Sequence, residues 1–173
     1  EETKPRAVEL VKMLVNGLAD QSLVWTYGDE QIHGGIEVDQ LDETKTADGS
    51  KIMQWGYPGS ARKYIEDYIV LYEAMKEAQP EAVIGFNAAS HGNGNVMRLL
   101  MAAGAKGKFD MFGINMFMSP FSIWPPTIDV MTQNGMAPDD IWFFGHNFGG
   151  IIRTDPTLQG RERIQGEREN ALY

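Results

Sequence analysis

The sequence predicts an α/β fold with a parallel sheet, and two kinds of segment indicate it. Apolar residues recur at helical spacing in residues 5–19, 60–79, 96–103 and 128–134. Between these segments lie short apolar runs that do not alternate strictly, as expected of strands that helices cover on both faces. Because strands and helices follow one another in turn, the strands are expected to be parallel and joined by right-handed crossovers.

The helix boundaries follow from local signals. The first helix has Pro5 in its first turn, and the second begins after Ser60, a predicted N-cap. Pro80 ends the second helix, and Gly104 ends the third. A further helix is predicted to start near Gly160.

Strands are predicted at residues 22–27, 82–86, 109–117 and 141–144. Trp25 and Trp142 lie inside strands and are interpreted as core residues. By contrast, residues 31–59 show no sustained period, and a loop of that length in a compact domain is usually functional or disordered.

Composition and net charge exclude several classes of function. The 173 residues are 43% hydrophobic, enough for one globular core, without a run of about twenty apolar residues that could cross a bilayer. A net charge of −9 disfavours nucleic acid and anionic membranes as partners, since both require a basic surface. We expect a soluble protein, for which a secreted or periplasmic location is plausible but not indicated.

Cysteine is absent, so the chain has no disulfide and no thiolate nucleophile. The three histidines lack the short spacings of zinc ligands, and neither a metal site nor a cofactor is predicted. The chain starts without methionine and stops in a helix-like polar segment, from which we expect a fragment of a longer protein. Four βα units could form an open doubly wound sheet or half of an eight-stranded barrel.

Glu30 is the leading catalytic candidate, because it follows the first strand and α/β enzymes place their chemistry at the carboxyl ends of strands. An acidic residue there is also commonly solvated or caps the next helix. Trp55, Tyr57 and Trp124 lie in predicted loops and are candidate platforms for sugar rings, whose C–H faces pack on aromatic planes.

The order of several motifs resembles the clan A glycoside hydrolases, nearest to the β-xylosidase and α-L-arabinofuranosidase families. The motifs are Trp-x-x-Gly-Asp-Glu at residues 25–30, the helical segments 64–68 and 71–80, Phe-Asp-Met-Phe-Gly-Ile-Asn at 109–115, and Ile-Trp at 141–142 before a glycine-rich strand end. The resemblance covers most of the chain and implies part of a TIM (β/α)8 barrel, with residues 1–173 as a fragment of one glycosidase-like domain. It also implies a hydrolase that acts on or binds an oligosaccharide or polysaccharide.

The resemblance assigns Glu30 the role of general acid/base. Asp29 stands where the family has an asparagine, and an ionised aspartate only accepts hydrogen bonds. Asn147 stands at the position of the nucleophilic glutamate, although retaining hydrolysis needs two carboxylates about 5 Å apart. We therefore expect no turnover. Asn115 and His146 complete the set of substrate-binding residues that we predict, together with Asp29, Trp55, Tyr57 and Trp124.

Several alternatives stay open. The chain could be an inert carbohydrate-binding relative or a deliberately inactivated variant, or the nucleophile could lie elsewhere in the protein. The loop His91-Gly92-Asn93-Gly94-Asn95 before a helix also suggests a flavodoxin-like protein that binds a nucleotide or flavin, although it lacks the phosphate-loop spacing. Finally, the open edges of an incomplete barrel are expected to pair with the remainder of the barrel or with another copy.

Overall fold

The computed structural model describes residues 3–20, 24–28, 31–32, 35–54, 57–88, 94–115 and 120–146. The elements in chain order are α1 (Thr3–Gly17), β1 (Val24–Tyr27), α2 (Ala61–Ala78), β2 (Val83–Ala88), α3 (Asn95–Ala102), β3 (Met111–Asn115), α4 (Pro120–Gln133) and β4 (Trp142–His146). Single 3-10 turns lie at Val38–Gln40 and Pro138–Asp140. The helix predicted near Gly160 lies outside the described residues. None of the described helices is both long and apolar enough to cross a membrane.

The strands form one sheet in the order β1-β2-β3-β4, and every neighbouring pair is parallel. The predicted α/β class with a parallel sheet is therefore confirmed. Strand order follows chain order without a reversal among the described strands.

Local signals placed most helix ends correctly. The Ser60 hydroxyl accepts a hydrogen bond from the Lys63 backbone N–H at 3.3 Å, which confirms the predicted N-cap of α2. Helix α4 begins at Pro120, well before the predicted start at residue 128, and it contains Pro125 and Pro126. Because each proline removes one helical hydrogen bond, the sequence favoured a helix that starts only after them.

The described helices lie on one face of the sheet, so the expectation that helices cover both faces is wrong for the described residues. Each crossover steps to the next strand in the same direction, and right-handed crossovers then place every helix on the same side. The rings of Tyr68 and Tyr64 in α2 lie 5.2 and 6.0 Å from that of Phe86 in β2. Likewise, Trp124 in α4 lies 5.1 Å from Phe143 in β4. We call this side the helix-covered face.

The opposite side, which we call the open face, is lined by alternate strand residues. They are Val24, Thr26, Val83, Gly85, Asn87, Met111, Gly113 and Trp142. Trp142 pairs in register with Met111 and is 62% exposed, so its interpretation as a core residue is wrong. Trp25 points the other way and packs against the core, which confirms its interpretation. The sequence of an apolar strand does not reveal which of its faces the helices cover. Sequence alone therefore could not distinguish the packed Trp25 from the exposed Trp142.

The long segment after β1 folds into a packed unit, which we call the loop lobe (residues 31–32 and 35–54). Its interior consists of five apolar side chains: Ile32, Ile36, Leu41, Ile52 and Met53. An antiparallel bridge joins Ile32 to Met53, and the Gln54 backbone N–H donates to the Gln31 carbonyl at 2.8 Å. The described part of this loop is therefore ordered rather than disordered.

Helix α1 packs against α2, and Val15 is buried between them and the core. Its other side carries a stripe of large apolar residues at helical spacing that no described residue covers. We call it the α1 stripe: Leu10, Met13, Leu14 and Leu18, with Met13 the most exposed at 70%. Apolar patches of this kind usually mark a contact surface.

Candidate functional site

The candidate site lies at the carboxyl edge of the sheet, where the parallel strands end together. Tyr27 is the last residue of β1, and His146 is the last residue of β4. Glu30 follows β1 by three residues and Asn147 follows β4 by one, so both chain segments leave from the same edge. Glu30 and Asn147 themselves lie outside the described residues, as do Asp29 and Trp55.

Two of the predicted substrate-binding residues are neighbours in the sheet. Asn115 pairs in register with His146 in the last row of β3 and β4. Since neighbouring strands lie about 4.8 Å apart, their backbones are adjacent at the carboxyl edge. The order of strands thus brings together two positions that are 31 residues apart in the sequence.

Asn87 is a polar residue near this edge that sequence reasoning missed. It lies one residue before the end of β2, pairs in register with Gly113, and is partly exposed on the open face. A Cβ built on Gly113 would lie 2.6 Å from Asn87 Oδ1 and 3.3 Å from its Cγ, so the carboxamide lies directly over the glycine. The signal that could have found it is a polar residue just after the predicted strand 82–86.

Two hydrogen bonds made by the buried side chain of Asn95 tie the loop lobe to α3. The Asn95 amide is 6% exposed; its Nδ2 donates to Glu37 Oε1 at 2.9 Å, and its Oδ1 accepts from Arg98 at 2.6 Å. Gly94 has φ +66°, and a Cβ there would lie 2.7 Å from the Pro126 carbonyl oxygen. The start of α3 is therefore fixed on one side by the loop lobe and on the other by α4.

Tyr57 and Trp124 were both predicted as platforms for sugar rings. In the structure Tyr57 packs against α2, and Trp124 packs against β4. Tyr57 meets Tyr64 edge to face at 5.1 Å, and its hydroxyl donates to Asp67 at 2.7 Å. Burial, together with that bond, raises the pKa of Tyr57. Trp124 is half-buried against Phe143. In this structure both rings help to hold loops and helices in place, and neither lies on the open face.

Asp67 in α2 joins three donors. It accepts hydrogen bonds from Tyr57 and Lys63, each at 2.7 Å, and it forms an ion pair with Lys4 at 2.9 Å. Burial alone would raise the pKa of Asp67, but these donors outweigh it and lower the pKa to about 2. The Asp67 carboxylate thus links α1, α2 and the segment around Tyr57. It lies beside a cavity of about 510 Å³ between the two helices.

Of the polar strand residues near the carboxyl edge, the structure describes the side chain of Asn87, whose Oδ1 is enclosed against Gly113. Amides such as that of Asn87 both donate and accept hydrogen bonds, as hydroxyl groups do. Among the described residues, no group of three or more histidine and acidic side chains could hold a metal ion. No protein-family model, curated protein or solved structure matches this chain.

Proposed function

We propose that this protein binds an oligosaccharide or polysaccharide at the carboxyl edge of the sheet, as part of a glycosidase-like (β/α)8 barrel. The observation that carries the proposal is the sheet itself: four parallel strands in chain order, with their helices on one face. Consecutive units of a (β/α)8 barrel have this arrangement, and the carboxyl ends of their strands form the active site.

The strand order also argues against the flavodoxin-like alternative. Doubly wound proteins bind nucleotides at a point where the strand order reverses, with helices on both faces of the sheet. The described strands of this chain have no such reversal, and their helices share one face. A sugar site in a barrel segment is therefore the better-supported proposal.

Binding without turnover follows from the resemblance. Glu30 would act as the general acid/base, but an asparagine at position 147 is too weak a nucleophile to form a covalent glycosyl intermediate. Asp29, Asn115 and His146 would contact sugar hydroxyls from the ends of β1, β3 and β4, and Trp55 would supply aromatic surface. Tyr57 and Trp124 are not part of this proposal, because they pack against α2 and β4.

The partner we propose for the uncovered surfaces is the remainder of the barrel, or a second copy where that is absent. In a barrel, α1 would lie over the junction between β1 and a preceding strand, which would pack beneath the α1 stripe. The 173-residue chain by itself is therefore expected to self-associate. Sedimentation as a compact monomer at micromolar concentration would contradict this part of the proposal.

Two measurements test the function. Calorimetric titration with xylo- and arabino-oligosaccharides should show binding, and aryl xylosides and arabinofuranosides should release no chromophore above buffer. An Asn147→Glu variant, which supplies the missing carboxylate, should release the chromophore. A second change, Glu30→Gln, should abolish that release. Binding of a flavin or nucleotide with no response to oligosaccharides would favour the doubly wound alternative.

Turnover by the unmodified chain, well above buffer, would contradict the role given to Asn147. Release by Asn147→Glu that survives Glu30→Gln would contradict the role given to Glu30.

A further inference from the structure

We propose that the cavity between α1 and α2 binds a small carboxylic acid with an apolar body, held by Lys4 and Lys63. The site goes beyond the sugar-binding function and does not depend on it. The cavity volume of about 510 Å³ is in the usual range of small-molecule sites.

One part of the cavity wall is apolar. It consists of the ring of Tyr27 at the end of β1, Ala7 in α1, and Val70 and Leu71 in α2. All four residues are partly exposed. Ala7 lies about two turns before the buried Val15 on the same face of α1, and it has no side chain beyond Cβ to fill the space. The small residue at this position therefore leaves an apolar hollow between the two helices.

The other part of the wall is one aspartate between two lysines. The ammonium groups of Lys63 and Lys4 lie 2.7 and 2.9 Å from the carboxylate oxygens of Asp67. One lysine balances the charge of Asp67, so the second gives the lining a net positive charge, in a chain whose net charge is −9. Each ammonium carries three N–H donors, and the contact with Asp67 uses one of them. The lining therefore favours an anion over a cation.

A ligand that matches both parts has one negative charge and an apolar body. Its carboxylate would accept charge-assisted hydrogen bonds from the two lysines, while its hydrocarbon part would cover Val70 and Leu71 and exclude water from them. The described lining residues include neither an arginine nor a glycine-rich loop, which are common partners of a phosphate group. A monocarboxylic acid is therefore the ligand class that this cavity fits.

Asp67 gives the assignment a consequence that a structural ion pair would not have. Its carboxylate contacts the same two ammonium groups that the ligand would use, so it competes with the bound acid. Asp67→Asn should therefore tighten binding of a carboxylate about threefold, the size expected of a partly exposed ion pair. Lys63→Met should weaken binding by about the same factor. A change that merely loosened the two helices would weaken binding in both variants.

An NMR titration with octanoate at neutral pH tests the site, with octanol and octylamine as neutral and cationic probes of the same length. Octanoate should bind in the millimolar range, more tightly than either probe, and should shift the signals of Ala7, Val70 and Leu71. Ala7→Phe, which fills the hollow, should abolish these shifts. Circular dichroism checks that each variant is folded, and the opposite effects of Asp67→Asn and Lys63→Met remain a test if Ala7→Phe does not fold.

Lys12→Met is the matched control. Lys12 also joins α1 to α2, through an ion pair with Glu77 at 2.9 Å, but it does not line the cavity. Its loss should change octanoate affinity by less than about twofold.

Several results would overturn the assignment. Octanol or octylamine binding as tightly as octanoate would contradict an anionic ligand, and weaker octanoate binding in Asp67→Asn would contradict the competition. An absence of shifts at Ala7, Val70 and Leu71 in millimolar octanoate would remove the site altogether. Each of these results leaves the proposed sugar-binding function intact, because none of the probes is a sugar.

Discussion

The two faces of the sheet differ in the residues that line them and in the elements that lie against them. The helix-covered face is aromatic and closed: Phe86 and Phe112 are each 1% exposed beneath the helices. The open face is built from glycine, threonine, asparagine and a few apolar residues, and Trp142 at its amino end is largely exposed. One strand contributes to both faces by alternation, as Phe86 and Asn87 illustrate.

The difference separates two roles within each strand. Residues on the helix-covered face hold the fold together, whereas residues at the carboxyl end of the open face would contact the ligand under the proposed function. Substitutions on the first face should therefore reduce stability, and those near the edge of the second should reduce binding with little effect on stability.

The largest effect is expected for Phe86→Ala. It removes a buried ring that contacts Tyr64 and Tyr68, and it should lower the free energy of unfolding by about 3–5 kcal/mol. Trp142→Ala removes a larger ring from the open face and should cost about 0.5 kcal/mol. Urea denaturation followed by circular dichroism measures both, and equal losses would break the distinction between the faces.

A smaller loss is expected for Asn95→Ala, which tests the attachment of the loop lobe. The change removes the two hydrogen bonds that the buried Asn95 side chain makes with Glu37 and Arg98 and should cost about 1–3 kcal/mol. Hydrogen exchange should accelerate in the loop lobe more than in the strands. Gln133→Ala, an exposed change in α4, is the control, and uniform acceleration throughout the chain would contradict a local role.

The smallest effect is the pH dependence carried by Asp67. Because the pKa of Asp67 is lowered from its ordinary value of 3.8 to about 2, its contribution is complete above pH 4 and is lost as the pH falls toward 2. The stability difference between the unmodified chain and Asp67→Asn should be on the order of 1 kcal/mol at pH 6 and shrink across that window. A difference that stays constant from pH 6 to pH 2.5 would contradict the ion-paired state.

The sequence predicted the helices and strands better than it predicted which of their side chains are exposed. The N-cap at Ser60, the alternation of strands with helices and the parallel sheet are all encoded locally, in caps, breakers and periodicity. The exposure of Trp142 was not predictable, because it depends on which face the crossovers leave open. The loop lobe was missed because its apolar residues follow no fixed spacing, and they become a core only when the chain folds back on itself.

Some residues of the candidate site could also be placed from the sequence, whereas others required the folded structure. Asn115 and His146 could be placed at strand ends from the sequence, although their pairing required the register. Asn87 was not predicted, since the significance of its position depends on Gly113 in the neighbouring strand. The positions of Tyr57 and Trp124 depend on contacts with α2 and β4 that no local pattern specifies.

The most direct test of the central claim is an NMR titration of the isotope-labelled chain with a xylo- or arabino-oligosaccharide. The account predicts shifts in the backbone amides of Gly28, Asn87, Asn115 and His146 at the carboxyl edge, and none in those of Val24, Val83, Met111 and Trp142 at the amino edge. Shifts confined to the amino edge or to the helices, or no shifts at millimolar sugar, would contradict it.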